Sequence, residues 1–281
     1  MLAVMKPIKL IACDMDGTLL DDQKRISTDN IEAINKLKAR GIYFVIATGR
    51  HDSMVKGYLD TLGLEMPVIS CNGAMVREPF SNHLFSSIPL QTEQVFEVIL
   101  ACKSLGADYH IYGRDVIYGE TLTSRMFYYN ERNKTLPERD KIKLFVSKDY
   151  RNYVKENTGE LYKILIIPSS QNDFIPIKEK IFKATGLHAF QSDAALLDVA
   201  QKGITKAHAI QNLCRELKIS QEETAAIGDQ LNDLDMIEYA GIGIAMNNAV
   251  QPIKEAAQNI TKKNNNQSGV AEAIHMLLAL K

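Results

Sequence analysis

The fold of this chain can be worked out from one stretch near its beginning, which reads Lys9-Leu10-Ile11-Ala12-Cys13-Asp14-Met15-Asp16-Gly17-Thr18-Leu19-Leu20. Its first half is a short apolar run, which is typical of a buried strand in an α/β sheet. The run ends in two acids one residue apart, and residues i and i+2 of an extended chain point to the same side. We therefore expect Asp14 and Asp16 to face one site beyond the carboxyl end of this strand, where open α/β sheets bind their ligands.

Two carboxylates this close repel each other unless a cation or a proton lies between them. Mg²⁺ prefers oxygen ligands and is the expected cation. Gly17 allows the chain to leave the strand with backbone angles that other residues resist. The alternative is that the two acids only form a solvated turn with an Asx hydrogen bond. Their place between an apolar strand and Gly-Thr-Leu-Leu favours a functional site.

The composition excludes several classes of partner. Among 281 residues, 33 Lys and Arg stand against 34 Asp and Glu, a formal net charge of −1. This balance gives no electrostatic reason to expect binding to nucleic acid or to an anionic membrane surface. The first seven residues are too short an apolar run for a signal peptide, and no later segment is expected to span a bilayer. The four cysteines are scattered without a CxxC pair, so we expect reduced thiols in a cytoplasmic protein.

Strands and helices alternate with short loops after the first strand. The second strand is predicted at Ile42–Ala47 and ends in Thr48, and a third at Val68–Ser70 is followed by Asn72. This alternation predicts a doubly wound, Rossmann-like parallel sheet in an α/β fold. Because polar or small residues follow each strand, we expect the functional site at this edge of the sheet.

The pattern changes in the middle of the chain, where hairpin-like pairs alternate with helices. We predict an inserted α+β domain at residues 84–190, with residues 1–83 and 191–281 forming the core. The core pattern is expected to return at Leu196–Val199, which is strand-like, and the fourth and fifth strands of the sheet are predicted at Thr224–Ile227 and Ile242–Ala245. A short polar loop, Asn264-Asn265-Asn266-Gln267-Ser268-Gly269, precedes a last amphipathic helix predicted at Val270–Leu280.

Two further stretches carry groups suited to phosphate chemistry. Lys206 lies in the first turn of a predicted helix, where the helix dipole disfavours a cation, so a bound anion explains it better than a solvated surface lysine. The strand at Thr224–Ile227 leads into Gly228-Asp229-Gln230-Leu231-Asn232-Asp233. Phosphoryl transfer needs a nucleophile, a cation and donors for the phosphate oxygens. A carboxylate can be that nucleophile through an aspartyl-phosphate.

The sequence resembles the haloacid dehalogenase (HAD) superfamily, and within it the Cof-type (subfamily IIB) branch of sugar-phosphatase-like hydrolases. The resemblance covers nearly the whole chain, and its four motifs occur in family order with an inserted cap between the second and the third. These motifs are Asp14-Met15-Asp16-Gly17-Thr18, Thr48-Gly49-Arg50, Lys206, and Gly228-Asp229-x-x-Asn232-Asp233.

The resemblance implies a role for each motif residue. Asp14 would be the nucleophile and Asp16 the general acid/base. The phosphate-binding residues would be Thr48, Gly49, Lys206 and Asn232. The magnesium ligands would be Asp14, the backbone carbonyl of Asp16, and Asp229, with Asp233 acting through water or by orienting Asp229. Two alternatives stay open, because Asp233 could instead cap the following helix and Asn72 could close a turn rather than touch substrate.

Two positions depart from the family pattern. The third motif often reads Lys-Gly, whereas this chain has Lys206-Ala207. The loop before the last helix often has an acid before Gly-Val, whereas this chain reads Gln267-Ser268-Gly269-Val270. Neither change removes a catalytic group, but the second leaves the role of that loop open.

The expected function is therefore a Mg²⁺-dependent phosphatase of small phosphorylated metabolites, sugar phosphates above all. A phosphosugar mutase and a non-catalytic phosphometabolite sensor are the alternatives. In the cap, Lys163 lies alone in an apolar strand; it is expected to extend its ammonium group to solvent, with substrate contact as the alternative. The sequence carries no signal for an oligomeric state.

Overall fold

The computed structural model describes residues 6–193 and 195–279, so Leu280 of the predicted last helix lies outside it. These residues form two compact units. The core unit comprises the described residues up to Ser86 and from Thr205 onward, and the inserted unit is Ser87–Ile204. The insertion therefore begins close to the predicted residue 84 but ends at Ile204 rather than at residue 190.

The described residues form 14 strands and ten α-helices, numbered here in chain order. The strands are β1 (Leu10–Cys13), β2 (Tyr43–Ile46), β3 (Val68–Ser70), β4 (Met75–Arg77), β5 (Leu84–Ser87), β6 (Asp108–Gly113), β7 (Ile117–Gly119), β8 (Leu144–Val146), β9 (Leu161–Ile167), β10 (Ala189–Asp193), β11 (Leu196–Val199), β12 (Thr224–Gly228), β13 (Ile242–Ala245) and β14 (Asn259–Ile260). The helices are α1 (Thr28–Ala39), α2 (Lys56–Leu62), α3 (Thr92–Ser104), α4 (Ser124–Asn133), α5 (Tyr150–Glu156), α6 (Phe174–Thr185), α7 (Lys206–Leu217), α8 (Leu234–Tyr239), α9 (Gln251–Ala256) and α10 (Gly269–Ala279).

The main sheet of the core unit is parallel and has the order β14-β13-β12-β1-β2. Strand β1 lies between β12 and β2, with Leu10 opposite Thr224 on one side and Tyr43 on the other. All four residues of β1 are buried, as expected for a parallel strand covered on both faces. The predicted α/β fold is confirmed, and the carboxyl ends of β1, β2 and β12 are adjacent.

Strand β3 meets the parallel sheet through one parallel bridge, between Ala47 at the end of β2 and Ile69. Its main partner is β4, with which it pairs antiparallel in a three-stranded sheet that includes β5. The cause is the turn that follows β3, where Cys71, Asn72 and Gly73 all have positive φ angles of 51°, 57° and 101°. Such a turn reverses the chain within three residues, so β4 returns along β3.

The prediction that the strand-like segment Leu196–Val199 belongs to the core unit is wrong. This segment is β11, and it pairs antiparallel with β9 and β10 in the six-stranded sheet of the inserted unit, whose order is β10-β11-β9-β6-β7-β8. A four-residue apolar run fits either sheet, and only its long-range partners distinguish them. Leu197 and Val199 contribute to the core of the inserted unit together with apolar residues of α3, α5 and α6.

Two further findings bear on the expected class of protein. In residues 6–193 and 195–279, no helix has both the length and the apolar character needed to cross a membrane. The four cysteines are free thiols, and each is buried.

Candidate active site

A buried lysine lies among acids at the carboxyl edge of the core sheet. Lys206 is the first residue of α7, whose N-cap Thr205 accepts a hydrogen bond from the backbone N–H of His208. Its Nζ donates to Oδ1 of Asp14 at 2.5 Å and to Oδ1 of Asp233 at 2.6 Å, and the side chain has no exposed surface. The structure thus brings together residues that are far apart in the sequence, from the ends of β1 and β12 and the start of α7.

Negative charge exceeds positive charge in this cluster. Asp14, Asp229 and Asp233 are buried, and one oxygen from each lies within 4.8 Å of the others. Burial raises the pKa of Asp14 well above its ordinary value, and the charges of Asp233 and Asp229 add to the rise against the opposing effect of Lys206. Burial and the charge of Asp233 raise the pKa of Asp229 to about 6.

The lysine responds in the opposite sense to the same surroundings. Burial lowers the pKa of Lys206, but Asp14 and Asp233 outweigh this effect and raise it above the ordinary value. Lys206 is therefore a fixed cation, and three carboxylates still surround it. A set of buried carboxylate oxygens with excess negative charge fits a hard divalent cation such as Mg²⁺.

Asp233 has a second set of contacts that explains its place. Its Oδ2 accepts hydrogen bonds from the backbone N–H groups of Asp229 at 2.9 Å and Gln230 at 3.0 Å. It therefore fixes the backbone that carries Asp229 and at the same time holds Lys206. The contact with the backbone N–H of Gln230 also caps the short 3-10 turn at Leu231–Asp233.

The carboxylate of Asp16 is turned towards cations rather than towards the acid cluster. Arg50 donates to both of its oxygens at 2.6 Å, and Lys24 donates to Oδ1 at 2.7 Å. Burial favours the neutral acid, but the hydrogen bonds and charges of Arg50 and Lys24 outweigh it and hold the pKa of Asp16 well below its usual range. Asp16 is thus a carboxylate in this structure.

Thr18 is a site residue that sequence reasoning missed. It is fully buried, and its Oγ1 donates to Oδ1 of Asp229 at 2.7 Å. Gly17 makes this contact possible, because it has a φ of 84° and a Cβ there would lie 2.5 Å from Oδ2 of Asp229. The signal for Thr18 was its position in the first motif, whereas nothing in the sequence singled out Lys24.

The residues predicted to bind phosphate form a second group at the same edge. Thr48 is buried, and its backbone carbonyl accepts from the backbone N–H of Asn72 at 3.0 Å. Asn232 donates through Nδ2 to Oδ1 of Asn72 at 3.2 Å. A Cβ on Gly49 would lie 3.0 Å from Oδ1 of Asn72, so a larger residue there would crowd this side chain. Asn72 therefore joins two of the predicted motifs and also forms part of the turn after β3.

The chain is similar to known proteins over nearly its whole length. The family described as haloacid dehalogenase-like hydrolase matches residues 11–274. The chain belongs to this family. This hydrolase is 30% identical to the phosphatase YwpJ of Bacillus subtilis, over 96% of the chain and 100% of that protein. It is 28% identical to 5-amino-6-(5-phospho-D-ribitylamino)uracil phosphatase YitU of the same organism, over 96% of the chain and 98% of that protein.

A solved structure extends the likeness to the fold. The HAD subclass IIB sugar phosphatase BT4131 superposes with a TM-score of 0.79 over 95% of the chain and 98% of that protein, at 22% identity. The predicted family and the predicted enzyme class are confirmed, and this hydrolase is an enzyme of the phosphatase type. YitU, which is named for its substrate, acts on a small phosphorylated compound.

Proposed function

We propose that this hydrolase is a cytosolic, Mg²⁺-dependent phosphatase of small phosphorylated metabolites that works through an aspartyl-phosphate on Asp14. The observation that carries the proposal is the cluster around Lys206, in which Asp14 is oriented by a buried ammonium group and faces two further acids. Asp14, Asp229 and the backbone carbonyl of Asp16 would hold the ion, with Asp233 orienting Asp229. The ion would neutralise charge on the phosphate oxygens.

The reaction has two displacement steps in this proposal. A carboxylate oxygen of Asp14 attacks the phosphorus in line, the bond from phosphorus to the ester oxygen breaks, and that oxygen leaves with the electron pair and takes a proton from Asp16. Water then attacks the phosphorus and gives its proton to Asp16. The bond from Asp14 to phosphorus breaks, which restores the carboxylate and releases inorganic phosphate.

The protein groups divide the remaining work. Lys206 fixes Asp14 through Oδ1 and supplies a positive charge near the transferring group. Thr48, the backbone of Gly49, Asn72 and Asn232 would donate to phosphate oxygens. Asp16 must loosen its contacts with Arg50 and Lys24 before it can carry a proton, because both cations favour its charged form.

The substrate class rests on the relatives. The phosphatase YitU is named for a phosphorylated ribityl compound, and BT4131 is named as a sugar phosphatase. We therefore include sugar phosphates and phosphorylated polyols among the expected substrates, and we assign the inserted unit as the cap that selects between them. A panel of such esters, assayed for phosphate release, tests the class. If no ester in the panel releases phosphate, the proposal is wrong.

The roles of the two acids can be separated with an Asp16→Asn variant. This variant should lose proton transfer, which is worth about 10²–10⁴-fold, mainly with poor leaving groups. A nitrophenolate needs no proton to leave, so rapid mixing with 4-nitrophenyl phosphate should give a burst of about one nitrophenolate per enzyme. A slow steady state should follow, because water activation still needs the base. Equal losses with good and poor leaving groups, and no burst, would contradict the assignment.

A further inference from the structure

The polar loop before the last helix contacts the segment that follows the first motif. In the core unit this loop forms a 3-10 turn at Asn265–Gln267. Its asparagines, together with Asn248, lie against residues 17–22, which we call the motif segment. This segment directly follows Asp14 and Asp16, so contacts that hold the segment also hold the backbone of these two acids.

The backbone N–H groups of the motif segment are tied to the end of β1. Leu19 donates to the carbonyl of Asp14 at 3.3 Å, and Leu20 donates to the carbonyl of Met15 at 2.9 Å. Asp16 and Leu20 also form a bridge. These bonds satisfy backbone N–H groups of the segment, whereas its carbonyl groups need hydrogen-bond donors from other parts of the chain.

Asparagine side chains supply the donors for those carbonyl groups. Asn248 donates through Nδ2 to the carbonyl of Gly17 at 2.8 Å. Asn265 donates through Nδ2 to the carbonyl of Leu20 at 3.0 Å and to Oδ1 of Asp22 at 3.2 Å. A carboxamide can donate these bonds and an ionised carboxylate cannot, so the chemistry at these positions calls for an amide.

Asn266 makes a two-way contact at the far end of the segment. Its Oδ1 accepts from the backbone N–H of Asp22 at 3.0 Å, and its Nδ2 donates to Oδ2 of Asp22 at 3.0 Å. Asn248 and Asn265 are also joined, because the backbone N–H of Asn265 donates to Oδ1 of Asn248 at 3.1 Å. The three asparagines therefore form one connected group along the segment.

The motif segment carries two contacts of the active site. Thr18 lies within it and binds Asp229. The turn that follows it is closed by a hydrogen bond from the backbone N–H of Asp21 to the carbonyl of Arg25 at 2.9 Å, and this turn presents Lys24 to Asp16. A shift of the segment would move Thr18 and Lys24 relative to the acids that they contact.

We propose that Asn248, Asn265 and Asn266 are positioning residues that hold the motif segment, and through it Thr18 and Lys24, in register with the catalytic acids. The catalytic consequence rests on the proposed phosphatase function, whereas the structural consequence does not. The proposal gives a role to a loop in which Gln267 and Ser268 replace the expected acid. In this chain the amides of the three asparagines contact the segment, and Asn30 of α1 also donates to the carbonyl of Leu19 at 3.4 Å.

The structural part is tested by amide hydrogen exchange in the unliganded protein. Asn266 is exposed, so Asn266→Ala should fold, and the amide of Asp22 should lose protection with its neighbours in residues 16–24. Asn248→Ala should act on the same peptide, because it frees the carbonyl of Gly17. The matched control is Asn247→Ala, since Asn247 bonds to the carbonyl of Lys262 and not to the motif segment. Unchanged protection of residues 16–24 in both variants would overturn the proposal.

The catalytic part is tested with two esters. In the proposed mechanism Asp16 protonates the leaving group. Both variants should therefore lose between about 10-fold and 100-fold in kcat with a sugar phosphate. The loss should be clearly smaller with 4-nitrophenyl phosphate, whose leaving group needs no proton. The Asn247→Ala control should match the wild type with both esters. A variant that loses protection at Asp22 but keeps the wild-type kcat with both esters would overturn the proposal. If the wild type releases no phosphate, the proposed function fails, and the exchange experiment still decides whether the asparagines hold the segment.

A rescue experiment adds a readout that general destabilisation would not give. Asn265→Asp keeps the shape of the side chain but places a carboxylate against the carbonyl of Leu20 and the carboxylate of Asp22. Adding Asp22→Asn removes the repulsion and supplies a donor to residue 265. The double variant should therefore recover part of the kcat that Asn265→Asp loses. A double variant less active than Asn265→Asp would contradict the arrangement.

Discussion

Within residues 6–193 and 195–279, each unit buries one lysine, and the two lysines are paired in different ways. Lys206 in the core unit has no exposed surface and lies in the cluster that contains Asp14, Asp229 and Asp233. Lys163 in the inserted unit is also buried, but it contributes one charge to a neutral pair. The first arrangement has more acids than cations, which costs stability unless something else binds. In this molecule both lysines are buried, so the excess of acids around Lys206 is the feature that distinguishes the candidate site.

The second lysine has contacts that suit a structural role. Its Nζ donates to Oδ2 of Asp198 at 3.0 Å, and the ammonium group lies 4.5 Å from the centroid of the Tyr112 ring. Lys163 and Asp198 sit on the neighbouring strands β9 and β11. The sequence predicts that the ammonium group of Lys163 extends to solvent. That prediction is wrong, because Lys163 is only 3% exposed. The acid that pairs with it lies 35 residues further along the chain.

The largest expected effect is on catalysis, from Asp14→Asn. The variant should lose about 10³-fold or more in kcat, because an amide cannot act as the carboxylate nucleophile. Its thermal midpoint in metal-free buffer should equal or exceed that of the wild type, since burial and neighbouring acids disfavour the charged form of Asp14. Phosphate release and thermal unfolding measure the two properties. A tenth of the wild-type rate, with deamidation excluded, would rule out Asp14 as the nucleophile.

Removal of divalent metal should have the next largest effect. Activity should fall by about 10²-fold or more with a chelator and return with Mg²⁺, and Ca²⁺ should inhibit because it takes more ligands at longer distances. Mg²⁺ at 100 times its dissociation constant should stabilise the wild type by about 2.7 kcal/mol. Asp229→Asn should lose most of this stabilisation, and the control Lys163→Met should keep it. Full activity in metal-free buffer would contradict the assignment of Mg²⁺ as the cofactor.

The neutral pair of the inserted unit should show the reverse pattern. Lys163→Met leaves the carboxylate of Asp198 buried without its lysine, which should lower the free energy of unfolding by about 3–5 kcal/mol. Adding Asp198→Leu should recover most of that loss, because an apolar pair of similar size avoids burying a lone charge. Denaturant unfolding measures both variants. If Lys163→Met is as stable as the wild type, the pair does not stabilise the inserted unit.

The smallest expected effect is a difference in pH dependence between the units. Burial, with the charges of Arg125 and Lys163, lowers the pKa of His110 in the inserted unit to about 4. The unfolded chain protonates this histidine near pH 6.5 and the folded chain only near pH 4, so stability should fall as the pH drops through this window. The sign is opposite for Asp229, whose pKa is raised to about 6, so its ionisation reduces stability as the pH rises from about 4 to 6.

This difference is measurable with a histidine variant. His110→Gln should remove up to about 2 kcal/mol of the stability loss between pH 6.5 and pH 4.5. The exposed His275 offers a matched control, and His275→Gln should leave the profile unchanged. Thermal midpoints across this range provide the comparison. If both variants follow the wild-type profile, burial of His110 does not contribute to the acid sensitivity.

Much of the core could be predicted, because its signals are local. The apolar run of β1, the two acids after it and the glycine that follows them lie within nine residues, Leu10–Thr18. The period of a strand and the turn chemistry of glycine follow from backbone geometry, so the sheet edge and Asp14 could be read from the pattern. Lys206 could be predicted as a site residue for a similar reason, since its place at the start of a helix is visible in the sequence.

The contacts that could not be predicted join distant parts of the chain. Strand β11 looks like a core strand until β9 and β10 are seen beside it. The pairing of Asp16 with Arg50 and Lys24 depends on how two loops pack, and so does the contact of Asn265 with Leu20, which are 245 residues apart. A sequence pattern specifies the period of each element and the chemistry at its ends. Packing of the whole chain then selects the partners, because each buried polar group must find one, and that choice is not encoded at any single position.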